Sequence, residues 1–253
     1  MKIATFNLRH HADRWEERFQ LVVETLLATG ADLIGLQEVS LKLGPKNQAE
    51  IIAEAMNGRL DRKEYSVCFK EARGYSKGKE GIAILSKIPV LEVKSVALPK
   101  LWRVAQMAKV MVNGQEIGFV NTHLHHEPLH SEEVRYPQAE YVMNWALSQA
   151  YPCIIVGDFN AQPYSSTIEM MKDNYSSAFE SLHGKEPEFT WPTPLVGGTV
   201  SADETEMIDY VFFNPTFFNV VNCKLIGNAP PPEDTTLYPS DHFGVFAEFK
   251  IIN

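Results

Sequence analysis

The sequence predicts an α/β protein whose polar chemistry gathers at the carboxyl ends of strands. Three observations carry this. Residues 2–8 and 32–39 are apolar runs, separated by a helix-period stretch that Gly30 closes. That is the strand–helix–strand order of a parallel crossover. Later segments are short and strand-like, and Asn113-Gly114 between two of them is a hairpin turn signal. The stretch IIVGDFNA at 154–161 ends a buried β-branched run in Asp158 and Asn160. Ligands in parallel sheets collect beyond the carboxyl ends of strands. Asn7, Glu38 and Asp158 all stand at such ends.

The elements follow in order. KIATFNL at 2–8 is a strand ending in Asn7. Asp13 caps a helix over 14–29, with Phe19, Val22, Val23, Leu26 and Leu27 at helical spacing and Gly30 as its C-cap. DLIGLQEV at 32–39 is a second buried strand, with Gln37 and Glu38 at its end. Residues 46–57 form a second helix that stops near Asn57-Gly58. Segments 65–70, 81–87, 90–98, 102–112 and 115–122 are strands. The polar loop 71–80 ends in Glu80. NTHLHH at 121–126 closes a strand, and a helix over 131–149 follows, capped by Ser131 with Glu132 and Glu133 in its first turn. Ser165 and Ser166 start another helix, to 172. Residues 181–206 carry three prolines and three glycines and form a long surface loop. MIDYVFF, NVVNCKLI and FGVFAEFKII are the last strands, and PPPEDTTLYPSDH leads to Asp241-His242.

The totals bound the class. A chain of 253 residues, 45% hydrophobic, can bury one large core. It shows no low-complexity linker, so one domain is expected over 1–253. No stretch is long enough to span a bilayer, and MKIATFNLRHH lacks a signal peptide's apolar run, so a cytoplasmic protein is expected. Cys68, Cys153 and Cys223 have apolar neighbours and no metal-ligand spacing, which reads as reduced thiols. The net charge of −9 argues against tight, sequence-independent binding to duplex DNA.

At 158–160 two readings stand side by side. Asp158 and Asn160 close the strand in an Asx turn, or extended geometry persists and both point into one cleft. The wider pattern bears on the choice. TFN at 5–7, QE at 37–38, NTHL at 121–124, GDFN at 157–160, ID at 208–209 and SDH at 240–242 together resemble the endonuclease/exonuclease/phosphatase family, across nearly the whole chain. The resemblance implies a four-layered α/β sandwich, two mixed sheets packed face to face with helices outside. It also implies a phosphoesterase that uses Mg²⁺ or Mn²⁺. It makes Glu38 the principal metal ligand, with Asn7 and Asp241 in or near the shell. Asp209 becomes the partner of His242. Asp158 orients or deprotonates the attacking water, and the general base is either Asp158 or His242. Asn160 holds a phosphate oxygen. His123 lies at the phosphate or the leaving group, with Glu80 as its partner.

Chemistry supports these roles independently. A carboxylate is a hard ligand suited to Mg²⁺ or Mn²⁺. A metal on the phosphoryl oxygen is a Lewis acid that offsets developing charge. A histidine such as His242 needs a partner that fixes its tautomer when neutral and favours its charged form. HLHHEP, with His125, His126 and His130, loosely resembles the His-x-His-x-Asp-His pattern of metallo-β-lactamases. Glu127 and Pro128 stand where that pattern needs Asp and His, so these histidines read as a solvated loop. Arg103 and Arg135 either clamp a second phosphate or form ordinary salt bridges.

The expected substrate is a phosphodiester of a nucleotide or of single-stranded nucleic acid. An inositol or lipid phosphatase is the alternative, weakened because Ala161-Gln162-Pro163 follows GDFN where that branch carries aromatic and arginine residues. A non-catalytic scaffold would have lost site residues that this chain retains. Loops 71–80 and 181–206 are expected to select substrate. Tyr75, Phe189 and Trp191 stack on a base or sugar there, or Phe189 and Trp191 anchor the loop to the core. No membrane or obligate protein partner is expected.

Overall fold

The computed structural model describes residues 1–41, 44–72, 80–126, 132–197, 201, 203 and 205–252. Among these residues, twelve strands form two six-stranded sheets. The first sheet runs β11 (Phe218–Ile226), β12 (Gly244–Ile251), β1 (Lys2–Asn7), β2 (Leu33–Ser40), β4 (Glu80–Ser86) and β3 (Ser66–Glu71). The second runs β5 (Val90–Ala97), β6 (Val104–Val112), β7 (Gln115–His123), β8 (Cys153–Asp158), β10 (Asp209–Phe213) and β9 (Ser176–Ser177). Each sheet has one parallel pair, β1 with β2 and β7 with β8, among antiparallel neighbours. Helices α1 (Trp15–Thr29) and α2 (Gln48–Arg59) cover the first sheet, and α3 (Glu132–Leu147) and α4 (Ser166–Lys172) the second. A short α5 (Ala178–His183) packs against β10 and β11. The result is the expected four-layered sandwich. No helix among the described residues is long and apolar enough to cross a membrane.

Strand period organises the layer between the sheets. Side chains alternate faces. On β1, Ala4 and Phe6 face the helices while Ile3, Thr5 and Asn7 face the other sheet; on β8, Ile155 faces out while Ile154, Val156 and Asp158 face in. Along the inner face the residues change character from one end to the other. Ile3, Leu33, Phe119, Ile154 and Phe213 make one end apolar. At the other end the same strands carry Asn7, Gln37, His123, Asp158 and Asp209. Register lines these up, with Asn7 beside Gln37, His123 beside Asp158, and Asp158 beside Asp209.

Between the ends, polar side chains join the sheets. Gln37 Nε2 donates to Asn121 Oδ1 at 2.7 Å and to Thr5 Oγ1 at 3.0 Å. Asn121 Nδ2 donates to the carbonyls of Leu36 and Ala83. Gly35 permits this approach, because a Cβ there would lie 2.7 Å from Val156 Cγ2 and 2.9 Å from Asn121 Oδ1.

Several local expectations are corrected. Asp13 does not cap α1. Arg14 holds that position in a left-handed conformation without a side-chain cap, while Asp13 accepts from Arg9 Nε at 2.9 Å. Helix α2 runs past Asn57-Gly58 to Arg59, because the Asn57 side chain accepts from the backbone of Glu64 and Tyr65 instead of stopping the helix. Strand β6 begins at Val104, after a turn in which Lys100, Leu101 and Trp102 all have positive φ. The 181–206 segment is not all loop. It holds the end of α5, a 3-10 turn at Pro194–Val196 and a bridge between Trp191 and Glu206. Ser131, Tyr75 and His130 lie outside the described residues. Other expectations hold. Gly30 is left-handed and caps α1, Ser165 caps α4, Asn113-Gly114 turns β6 into β7, and all three cysteines are free.

Pro137 sits inside α3. A proline there removes the bond to the carbonyl four residues earlier. That carbonyl, on Glu133, takes Lys100 Nζ at 2.6 Å. Gln138 adds a clamp, donating to the carbonyls of Pro99 and Lys100 and accepting from His125 N–H. Helix α3 thereby fixes the turn before Arg103 and the segment after His123.

Candidate active site

A cleft of about 350 Å³ opens at the polar end of the inter-sheet layer. Arg9, His10, Glu38, His123, His126, Asp158, Asn160, Trp191, Asp241 and His242 line it.

Asp158 is the hub. It ends β8 fully buried, and Gly157 precedes it where a Cβ would strike the Thr122 carbonyl at 2.0 Å. Its Oδ2 accepts from Asn7 Nδ2 at 2.9 Å and faces His123 Nε2 at 3.4 Å and His242 Nε2 at 3.9 Å. Its Oδ1 accepts from Asn160 N–H at 2.9 Å. Burial, and then the charge of Asp209, push its carboxyl up to about 7. The last bond is an Asx turn. Asn160 has φ 49, so extended geometry does not persist past Asp158. Asn160 still lines the cleft, but through a left-handed turn, with one amide N–H on the Leu124 carbonyl at 3.2 Å. The Asx-turn reading holds and the extended one does not, although both side chains reach the cleft.

His242 is brought to the cleft by the segment before β12. Its Nδ1 lies 2.8 Å from Asp209 Oδ2. Burial opposes its charge, but Asp209 and Asp241 outweigh burial and raise it to about 10. The ring is a cation with Nε2–H turned toward Asp158. The other oxygen of Asp209 is buried with no donor among the described residues, which leaves negative charge to hold that cation. Asp158, Asp209 and His242 bring possible ligand atoms within 4.8 Å of one another. The His242–Asp209 bond occupies Nδ1 and one Asp209 oxygen, so the group as it stands is not an open metal site.

His123 is the electrostatic opposite of His242. Its Nδ1 lies 3.1 Å from Arg103 Nη1, which can only donate, so Nδ1 is unprotonated and Nε2 carries the hydrogen. Burial and the Arg103 charge hold its pKa well below the usual value. The expected Glu80–His123 pair is corrected. Arg103 stands between them, 3.3 Å from Glu80 Oε1. Arg103 is buried, is absent from the cleft lining and also reaches His126. Arg135 is buried too, with Nη1 on the carbonyls of His125 and His126. Neither arginine is placed to clamp a second phosphate.

Glu38 lies in the irregular stretch of β2 between Leu36 and Val39, with φ 52, which turns its carboxylate into the cleft. Asn7 Nδ2 is 3.4 Å from its Oε1. As oriented, Asn7 is a donor to Glu38 and Asp158, and its own oxygen accepts from Arg9 N–H at 2.9 Å. His10, absent from the expected site, stands between two acids. Its Nε2 is 2.8 Å from Glu38 Oε2 and its Nδ1 is 3.0 Å from Glu80 Oε2. Burial works against its charge, but these bonds raise it to about 10. In turn His10 overcomes burial and holds Glu38 well below the usual carboxylate range. On the remaining wall, Asp241 Oδ2 accepts from Trp191 Nε1 at 3.2 Å and lies 3.4 Å from Arg9 Nη1.

Sequence reasoning missed Arg9, His10 and His126. Arg9 and His10 sit in a turn of left-handed residues that no motif marks. One signal was available. Arg18 falls on the apolar face of α1 beside Trp15, Val22 and Leu26, and a cation there must be satisfied internally. Its buried guanidinium donates to the carbonyls of Leu8, Arg9, His10, Ala12, Asp13 and Pro239, and so knots the turn in place. Of the proposed stacking residues, Trp191 lines the cleft, whereas Phe189 packs on Phe243 with ring centres 5.3 Å apart.

Comparison with known proteins agrees with this architecture. The profile of the Endonuclease/Exonuclease/phosphatase family matches residues 4–242. Nocturnin of Drosophila melanogaster is 26% identical over 284 residues, covering 94% of this chain and 42% of the relative. Human nocturnin is 23% identical, covering 94% of this chain and 58% of the relative. The chain thus spans less than two thirds of these curated relatives. Among solved structures, an endonuclease/exonuclease/phosphatase family protein from Leptotrichia buccalis superposes with a TM-score of 0.81 at 19% identity, covering 99% of both chains. The human nocturnin catalytic domain with a bound sulfate anion superposes with a TM-score of 0.75 at 21% identity, covering 100% of this chain and 94% of that one.

Proposed function

The chain belongs to the endonuclease/exonuclease/phosphatase family, and on that premise we propose that it is a divalent-metal-dependent phosphoesterase cleaving a phosphodiester of a nucleotide or of single-stranded nucleic acid. The observation that carries the reading is the convergence of Glu38, Asp158, His123 and the His242–Asp209 pair at one end of the inter-sheet layer. The sulfate on the human nocturnin catalytic domain, a tetrahedral oxyanion like phosphate, is in keeping with it.

The residues fit a hard cation. Glu38 and Glu80 are carboxylates set deep in the cleft wall, and both converge on one cationic ring, so this corner attracts positive charge. Glu38 would be the main ligand of Mg²⁺ or Mn²⁺, with Asp241 and Asn7 beside it. Bound there, the cation supplies Lewis-acid stabilisation of the phosphoryl oxygens.

The chain's own groups do the rest. Asp158, with its carboxyl near neutrality, takes the proton of the attacking water. His242, held cationic by Asp209, donates from Nε2 to a phosphoryl oxygen. Neutral His123 donates from its own Nε2–H, and Asn160 has an amide N–H left for the phosphate. Trp191 offers an indole face to a base.

A panel assay tests this. Bis(p-nitrophenyl) phosphate, p-nitrophenyl phosphate, an inositol polyphosphate and a single-stranded oligonucleotide are incubated with Mg²⁺, Mn²⁺ or EDTA. Metal-dependent cleavage of the diesters is expected. Preference for either monoester would move the reading to a phosphatase. Cleavage of nothing on the panel would contradict it.

A further inference from the structure

We infer that Arg9 forms a second anion subsite at the lip of the cleft, so that the ligand carries a further phosphate beside the one that reacts. This rests on the phosphoesterase reading above and deepens it.

The reacting phosphoryl group must lie among Glu38, His123, Asp158 and His242. Arg9 bonds to none of these side chains. Its nearest link to them is Asp241, whose Oδ2 is 3.4 Å from Arg9 Nη1 and whose Oδ1 is 4.0 Å from His242 Nε2. An anion on Arg9 is therefore adjacent to the reacting centre and separate from it. The guanidinium lines the cleft with its side chain 37% exposed. Asp13 holds Nε at 2.9 Å and Asp241 holds Nη1, while Nη2 has no partner among the described residues. Two carboxylates thus aim the planar fork and leave one terminal nitrogen toward solvent and ligand.

The backbone beneath is fixed from both sides. Arg9 N–H donates to Asn7 Oδ1 at 2.9 Å, and its carbonyl accepts from Arg18 Nη2 at 3.0 Å. Arg9, His10, Asp13 and Arg14 all have positive φ. Each such residue is strained and persists only where its surroundings over-determine it. Here the surroundings are one buried guanidinium spent wholly on backbone carbonyls. The product of that construction is an arginine presented in the cleft of a protein whose net charge is −9. Trp191 donates its indole N–H to the same oxygen of Asp241, so an aromatic ring and the cation meet at one carboxylate of the cleft. Phosphate next to base is the chemistry of a nucleotide with phosphates on both sides of its sugar.

Binding measured by calorimetry tests this without requiring turnover. Thymidine 3′,5′-bisphosphate and thymidine 5′-monophosphate are titrated into the wild-type protein, Arg9→Gln and Arg9→Lys, in Ca²⁺ and in EDTA. The wild type should favour the bisphosphate by roughly tenfold or more, the gain of one charge-assisted contact. Arg9→Gln should bind the two alike at an unchanged melting temperature, and Arg9→Lys should fall between. Equal binding of both nucleotides by the wild type, or preference retained in Arg9→Gln, would overturn the subsite and make Arg9 a latch for Asp241 alone. Neither result bears on cleavage of bis(p-nitrophenyl) phosphate, which stands or falls with the phosphoesterase reading.

Discussion

The two ends of the layer between the sheets are built from the same strands and differ in what they are for. At one end, Ile154 on β8 packs among Ile3, Leu33, Phe119 and Phe213. Four residues on, along the same face of the same strand, Asp158 is equally buried and is surrounded by Asn7, His123, Asp209 and His242. The first environment stabilises the fold by removing apolar surface from water. The second works against it, since burial and a neighbouring carboxylate both disfavour the Asp158 charge. Stability and chemistry are thus separated along a single strand by about 13 Å.

Paired substitutions give the largest expected contrast. Asp158→Asn should lower turnover by roughly 10²–10⁴-fold, the range of a lost general base. It should not destabilise. The folded-state pKa is raised from an ordinary value near 3.8 to about 7, so the native state binds the proton more tightly than the unfolded chain. Wild-type stability therefore falls as pH rises from about 4 through 7, and Asn, always neutral, escapes that loss. Melting at pH 8 should leave Asp158→Asn at or above wild type. Ile154→Ala should do the reverse, costing about 2–5 kcal/mol and sparing turnover well below the new melting temperature. If Asp158→Asn melts early, or if Ile154→Ala loses turnover while folded, the two ends are not separate.

A smaller effect should appear in the pH profile. The proposed base must be ionised and the proposed acid protonated. Turnover should rise through about 7, as Asp158 loses its proton, and fall near 10, as His242 loses its own. Asp209→Asn removes one support of the His242 charge and should bring the upper limb down in pH. An upper limb unmoved by Asp209→Asn would leave His242 without its assigned role.

The middle of the layer should couple both ends, with the smallest effect. Asn121→Leu removes one of the two acceptors of Gln37 and two inter-sheet bonds to carbonyls. A cost of about 1–3 kcal/mol is expected, with a several-fold drop in turnover, because Gln37 adjoins Glu38 and Asn121 is two residues from His123. A change confined to stability would show that Glu38 and His123 are positioned independently.

Much of this was legible in the sequence, and the reason is strand period. Asn7, Glu38, Asp158, Asp209 and His242 follow or precede apolar strands, and short motifs mark each of them. The structure brings all five to one cleft or its immediate wall. What was illegible lies where the backbone leaves regular geometry. Asn160 was left between an Asx turn and extended geometry, and the turn with its left-handed backbone holds. Arg103 was left between a phosphate clamp and a salt bridge; it bonds to Glu80 and separates it from His123, a partnership that linear spacing does not encode. Arg9 and His10 owe their positions to Arg18, nine and eight residues away, through carbonyl bonds that any sequence can supply. Local propensity has no hold on such a turn.

The claim that the polar end is a metal-dependent hydrolytic centre is tested most directly at Glu38. Mn²⁺ binding, followed by calorimetry, and turnover of bis(p-nitrophenyl) phosphate at limiting Mg²⁺ are measured together on the wild type and Glu38→Gln. The account predicts that Glu38→Gln folds but melts below the wild type, because it loses the ion pair with His10, and that it binds Mn²⁺ at least tenfold more weakly and loses turnover by orders of magnitude, with partial recovery at high metal. Glu38→Gln that binds Mn²⁺ and turns over as the wild type does would contradict it.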